Sequence, residues 1–249
     1  MVRERLKRLA ADERFIPGIY NYCDRWCERC PQTQRCLNFS MSEEESSDPE
    51  TRDIRNEAFW KKLSETLQEA IEMLREEGKK RGIDLDSPAS PSEVESIRKN
   101  DEAAKEHVIS RASGSYAKMV DDWFKERDGL FFEMAAGAAD EMDFAEALEV
   151  IRWYQYFVAA KVFRAIRGMK EEKEERDDEF PSDSDGSAKI ALIAIDRSIG
   201  AWAVISHHDH RYAEEVLKMI SFLDSLRQAV EQTFPKAKSF VRPGFDRIN

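Results

Sequence analysis

All four cysteines of this 249-residue chain, Cys23, Cys27, Cys30 and Cys36, lie in one short stretch, YCDRWCERCPQTQRCL. Their spacing is Cys-x3-Cys-x2-Cys-x5-Cys. Thiolates are soft ligands that select zinc, iron–sulfur clusters or Cu(I), and four of them complete either a tetrahedral zinc or a [4Fe–4S] cubane. Zinc sites commonly set two Cys-x2-Cys pairs a dozen or more residues apart, each on its own turn. Here all the ligands fall in one continuous loop, which favours the cluster. Arg25, Arg29 and Arg35 are spaced among the cysteines and would offset the negative charge of either centre.

The first three cysteines, CDRWCERC, copy the Cys-x3-Cys-x2-Cys signature of radical-SAM enzymes. CERCPQTQRC resembles the Cys-x2-Cys-x5-Cys part of the auxiliary-cluster domains found in some of those enzymes. Pro31 directly follows Cys30, as a proline follows the last cysteine of bacterial ferredoxin runs. Each resemblance covers fewer than fifteen residues and implies ligand chemistry alone, because a radical-SAM barrel needs repeated strand–helix units and this chain offers none. Structural zinc at the same four residues is the alternative. It would tie FIPGIYNY and LNF into a compact cap, with Tyr20, Tyr22, Trp26 and Phe39 as docking surface. A thiol switch and unligated cysteines are the remaining readings.

Other residues carry weaker chemistry. His207, His210 and Glu214 in SHHDHRYAEE would share a face at i, i+3 and i+7 if one helix ran through them, giving a second metal site. A polar interhelical turn is the plainer reading. None of the four histidines has a glutamate three residues before it, which disfavours a di-iron carboxylate bundle. DSDGS at 183–187 resembles the heart of a calcium loop but reads better as a helix cap. Asp196 and Arg197 interrupt the most apolar segment, so a pair between Asp196 and Arg164 or Lys161 is expected, either as a structural ion pair or as a polar pocket. The tail FPKAKSFVRPGFDRIN is expected to pack back on its own domain or to bind an acidic partner. No nucleophile elbow, phosphate loop, dinucleotide fingerprint or zincin motif is present, and no catalytic residue is assigned.

Helices must position these groups. Trp60, Leu63, Leu67, Ala70 and Leu74 draw one stripe on a helix over about 53–81, stopped by Gly82. Ser92 with Glu95 reads as a capping box for a helix carrying Val94, Ile97, Val108, Ala112, Tyr116, Met119 and Trp123, with Gly114 as a kink. The apolar GLFFEMAAGAA at 129–139 leads into a helix over about 140–168, with Phe144, Leu148, Ile151, Val158 and Val162 facing inward. Ser187 is placed to cap an almost wholly apolar helix from Ala188, expected at the bundle centre. The last helix, about 211–233, shows Ala213, Val216, Ile220, Leu223 and Val230 on one face before Pro235.

The net charge of −11 resolves into two segments: 41–53 contributes −5 and 170–186 contributes −6, so both read as solvated acidic linkers. A global basic field for nucleic acid is absent. The charged start MVRERLKRLAADERF has no apolar core of a signal peptide, and the apolar run from Ile190 meets Asp196 after six residues. A cytoplasmic protein with no membrane association is therefore expected. In that reducing setting clustered cysteines more often bind metal or do redox work than form disulfides.

The sequence thus predicts an all-α bundle of five or six helices (54–249, interrupted by linker 170–186). An N-terminal metal-binding segment at 1–40 joins it through linker 41–53. The expected centre is a [4Fe–4S] cluster on Cys23, Cys27, Cys30 and Cys36 for electron transfer or redox sensing, with a protein or redox partner. The alternative is structural zinc in a non-catalytic interaction protein.

Overall fold

The computed structural model describes residues 4, 8–9, 11–45, 49–51, 53–127, 140–172 and 182–246. The apolar segment 129–139 and most of the acidic run 170–186 lie outside them. The chain is all-helical, 78% helix, with no strand among the described residues. Seven α-helices occur there, one more than the upper expectation. They are α1 (Leu37–Glu45), α2 (Glu57–Lys80), α3 (Pro91–Glu106), α4 (Val108–Lys125), α5 (Asp140–Glu172), α6 (Asp183–His208) and α7 (Ala213–Thr233). No helix among them is long and apolar enough to cross a membrane. The chain divides into two compact units, one of residues 1–95 with 243–247 and 249, the other of residues 96–242 with 248.

The larger unit holds the main core, where α5 and α6 pack most extensively. Phe144, Leu148, Ile151, Val158 and Val162 of α5 are all buried, as their spacing predicts. Opposite them α6 presents Ala188, Ala191, Ala194, Ser198 and Ala201, whose small side chains allow close helix approach. At Gly168 an added Cβ would meet Ser184 Oγ at 2.7 Å, so a larger residue there would force that hydroxyl to turn away. Val216, Leu223 and Val230 of α7 are buried with Met219 and Leu226, whereas Ile220 is half-buried. Between α4 and α6, Trp202 Nε1–H donates to the Tyr116 oxygen at 3.1 Å, and Trp202 meets Trp123 edge to face at 5.0 Å.

Helix starts depart from the expected ones by a few residues, each for a local reason. Ser182 caps α6 reciprocally with Asp185: Asp185 N–H donates to Ser182 Oγ at 2.9 Å, and Ser182 N–H to Asp185 Oδ2 at 2.8 Å. Ser187, the expected cap, is instead fully buried inside the first turns. At α3 the box is Ser90 with Glu93, at 3.2 and 2.7 Å, rather than Ser92 with Glu95. Pro91 takes the first helical position, where its missing N–H costs nothing. The expected single helix of 92–123 breaks at His107 rather than kinking at Gly114. His107 is extended, and its Nδ1 accepts Ile109 N–H at 3.4 Å. Val94, Ile97 and Val108 are consequently exposed, while Tyr116 and Trp123 reach the core.

In the smaller unit, α2 ends as Gly82 suggests. Gly82 adopts φ 72°, Ile83 N–H reaches Gly78 O at 2.8 Å and Gly82 N–H reaches Lys79 O at 3.2 Å, the double closure of a Schellman motif. The apolar stripe of α2 is present but does not enter a core. Trp60, Leu63, Leu67, Ile71 and Leu74 are all exposed, and the half-buried side is Phe59, Lys62, Thr66 and Met73.

Candidate metal centre

The cysteine segment folds as three single 3-10 turns, Ile19–Asn21, Cys27–Arg29 and Thr33–Arg35, followed by α1. Short turns suit a segment whose backbone must wrap around a centre instead of running past it. Gly18 (φ 72°) starts the first turn, and Asn21 N–H returns to Gly18 O at 2.9 Å. Ile16 N–H donates to Arg35 O at 3.0 Å, tying the two ends of the loop together. Between the first two cysteines the Asp24 carboxylate accepts Trp26 N–H at 3.1 Å. Arg25 is forced to φ 61°, the single non-glycine residue with positive φ among those described. Such a conformation costs roughly 1–2 kcal/mol in an L-residue and marks a place where surroundings dictate the backbone.

These turns bring all four cysteines to the wall of one shallow hollow, open to solvent. Ile19, Tyr20, Trp26, Phe39 and Phe245 supply apolar lining, and Asp24, Arg25 and Thr33 the polar part. Cys36 is buried and the other three thiols are half-buried, and no disulfide joins them. Gln32 N–H donates to Cys30 Sγ at 3.4 Å, two residues on, and the backbone N–H of Arg25 bonds Cys23 in the same way. The Arg29 guanidinium stacks 4.0 Å above the Trp26 ring, holding both side chains in place.

Burial raises the Cys23 thiol above its ordinary range, partly countered by the Arg25 amide. Cys27 is raised by burial first and then by the negative charge of Cys23, Cys30 and Cys36. Cationic charge in the hollow would favour the thiolates, so loading it would release protons. Among the described residues, however, no three Cys, His, Asp or Glu groups are close enough to hold a metal ion. A tetrahedral zinc with Zn–S bonds of 2.3 Å needs its sulfurs only about 3.8 Å apart. The donor types suit a metal or a cluster, but the described side chains are not gathered into a ligand set.

The C-terminal segment completes the wall, which the sequence did not suggest. Gln32 Nε2 donates to Gly244 O at 2.9 Å, and Phe245 lines the hollow. Gly244 holds φ 76°, and a Cβ there would come within 2.7 Å of Ile16 Cδ1 and 2.8 Å of Ile19 Cδ1. The earlier part of the tail stays with the larger unit: Phe234 and Ala237 are buried, and Lys189 Nζ donates to the Phe240 carbonyl at 2.5 Å. The only early signal was compositional, three phenylalanines and a Pro-Gly pair after the last helix.

The lower-ranked residues are not assembled. α6 ends at His208 and Asp209 caps a separate turn, so His207, His210 and Glu214 do not share one helical face. Asp209 pairs with Arg211 at 2.6 Å, Glu214 with Lys218 at 2.8 Å, and His208 packs on Phe144 at 4.6 Å. Asp196 is 59% exposed and faces Arg227 at 3.7 Å, not Arg164 or Lys161. The helical period turns Asp196 and Arg197 outward while Ala194, Ile195 and Ser198 stay inside. Arg164 pairs instead with Asp183 at 3.0 Å. No family model matches the chain, and no curated protein or solved structure matches it.

Proposed function

We propose that the smaller unit binds a [4Fe–4S] cluster through Cys23, Cys27, Cys30 and Cys36 and works as a one-electron redox centre, in electron transfer or redox sensing with a protein partner. The observation that carries this reading is the convergence of all four thiols of the chain on the wall of one hollow. When bound, the cluster would supply a reversible one-electron couple whose potential depends on hydrogen bonds to sulfur and on solvent exposure. This chain offers both controls. The amides of Arg25 and Gln32 point at Cys23 and Cys30 and stabilise negative charge on those sulfurs. Trp26, Phe39 and Phe245 limit water at the ligands.

The test is anaerobic purification followed by an absorbance spectrum and assay of iron, acid-labile sulfide and zinc in one sample. The expected result is about four irons and four sulfides per chain with a broad visible charge-transfer band that bleaches on reduction. One zinc in a colourless protein overturns the redox reading and makes the segment a structural clip. A metal-free protein overturns both.

A further inference from the structure

We propose that α2 is a dimerisation helix, pairing antiparallel with the same helix of a second copy about a two-fold axis at Leu67. Trp60, Leu67 and Leu74 are 56%, 54% and 62% exposed, and Leu63 and Ile71 share their face. At 1.5 Å per residue this stripe runs about 21 Å. Trp60 already satisfies its indole N–H on Ile54 O at 2.8 Å, so its ring is left as an apolar surface. Two such stripes face to face remove on the order of 1,000 Å² from water, the lower bound for a specific interface.

The charges beside the stripe select the occupant and the direction. At 100° per residue one flank carries Phe59, Thr66, Ala70 and Glu77, the last paired with Arg81 at 2.9 Å. On the other, Arg75, paired with Asp86 at 2.8 Å, lies among four further ions, Glu57, Lys61, Glu72 and Lys79. These four ions are exposed, and none has an ion-pair partner among the described residues. A two-fold axis perpendicular to the helix lays each flank against its own copy running in reverse. About Leu67, Lys61 then meets Glu72 of the second copy, and Glu57 meets Lys79. In the core, Trp60 meets Leu74 and Leu63 meets Ile71. A parallel pair would lay this flank on the one whose acid is Glu77, already held by Arg81, and leave Glu57, Lys61 and Glu72 without mates. The flank therefore finds more mates in the antiparallel orientation than in the parallel one.

Sedimentation equilibrium on the full chain tests this. The expected species at tens of micromolar has twice the 28.9 kDa of one chain. Leu67→Glu sets two carboxylates on the axis at an exposed position, and is expected to give a monomer with unchanged circular dichroism. Lys61→Glu and Glu72→Lys should each weaken the dimer about tenfold, since symmetry counts each pair twice, and the double variant should restore it. A monomer at every concentration overturns the proposal. So does a dimer indifferent to Leu67→Glu, or a charge swap that fails to restore. Hydrogen-exchange protection of residues 60–74 in a monomer would mean that another part of the chain covers the stripe, and equally overturns it. None of these outcomes depends on the metal content of the cysteine hollow.

Discussion

The two units are built on opposite terms. In residues 96–242, helices α4 to α7 bury Leu148, Ile151, Val158, Ile195, Trp202 and Leu223 almost completely, and apolar burial of that density can hold a domain together unaided. In residues 1–95, the fully buried positions among those described are Ile19, Cys36 and Gly78, while the largest apolar side chains of α2 face solvent. A unit with so little core needs help from elsewhere. The hollow ringed by thiols and the stripe on α2 are two places where such help can attach.

The sharpest way to break this contrast is to remove one ligand. If the proposed cluster is present, Cys30→Ser abolishes its binding and unfolds residues 11–45, because metal-binding free energy is folding free energy where the local core is small. The measurement is iron and sulfide content with hydrogen exchange resolved by segment. Amides of residues 11–45 should lose protection while those of 140–166 and 183–208 keep theirs. Equal loss in both units would show that the smaller unit does not depend on its cysteines separately.

The converse variant acts on the larger unit. Leu148 is fully buried, and Leu148→Ala should cost about 2–5 kcal/mol through lost transfer energy and the cavity left behind. Chemical denaturation followed by helix signal reads that loss, and iron and sulfide per chain should stay unchanged. A fall in cluster content with Leu148→Ala would contradict the division of labour.

What could be read beforehand follows the same divide. Where residues were buried on a regular helix, as with Phe144 to Val162 or Val216 to Val230, spacing alone predicted their environment, because one periodicity governs both. The closeness of Cys23 to Cys36 in sequence was legible, but thirteen residues can extend over ~40 Å, and it is the three short turns that bring the cysteines to one hollow. Spacing could not say that the α2 stripe faces solvent, because an amphipathic helix has the same pattern whether its apolar face meets its own core or another molecule. Nor could it place Phe245 beside Cys23, over two hundred residues away, as only the tertiary fold joins them. Asp196 misled for a related reason: a charge inside an apolar run reads as buried until the helical angle is fixed.

A smaller effect sharpens the account of the larger unit. Tyr116 is wholly buried, which pushes its hydroxyl up to about 12 despite the hydrogen bond from Trp202. The neutral form is thus favoured in the folded state. Stability should be flat below pH ~10, where the unfolded tyrosine is also neutral, and fall by about 1.4 kcal/mol per pH unit as pH rises from ~10 to ~12. Tyr116→Phe removes that slope. At neutral pH it should cost about 1–3 kcal/mol, since the buried Trp202 N–H loses its acceptor. Urea midpoints at pH 8 and pH 11 for both proteins separate the two contributions.

The smallest expected effect concerns the wall of the hollow. Phe245 lines it from the chain end, held by the Gln32 bond to Gly244 and by the close seat of Gly244 on Ile16 and Ile19. Phe245→Ala leaves the four thiols and their amide donors in place, so the iron and sulfide content of anaerobic protein should not change. It widens water's access to the ligands, and solvent exposure is one of the terms that set both potential and lability of a cluster. The visible band should therefore bleach a few-fold faster in air. Gln32→Ala should act in the same direction and more weakly, because it removes a single exposed hydrogen bond and leaves the ring available. If Phe245→Ala bleaches at the wild-type rate, the tail is packing and not a screen. Protection of the centre would then rest on Trp26 and Phe39 within the cysteine loop itself.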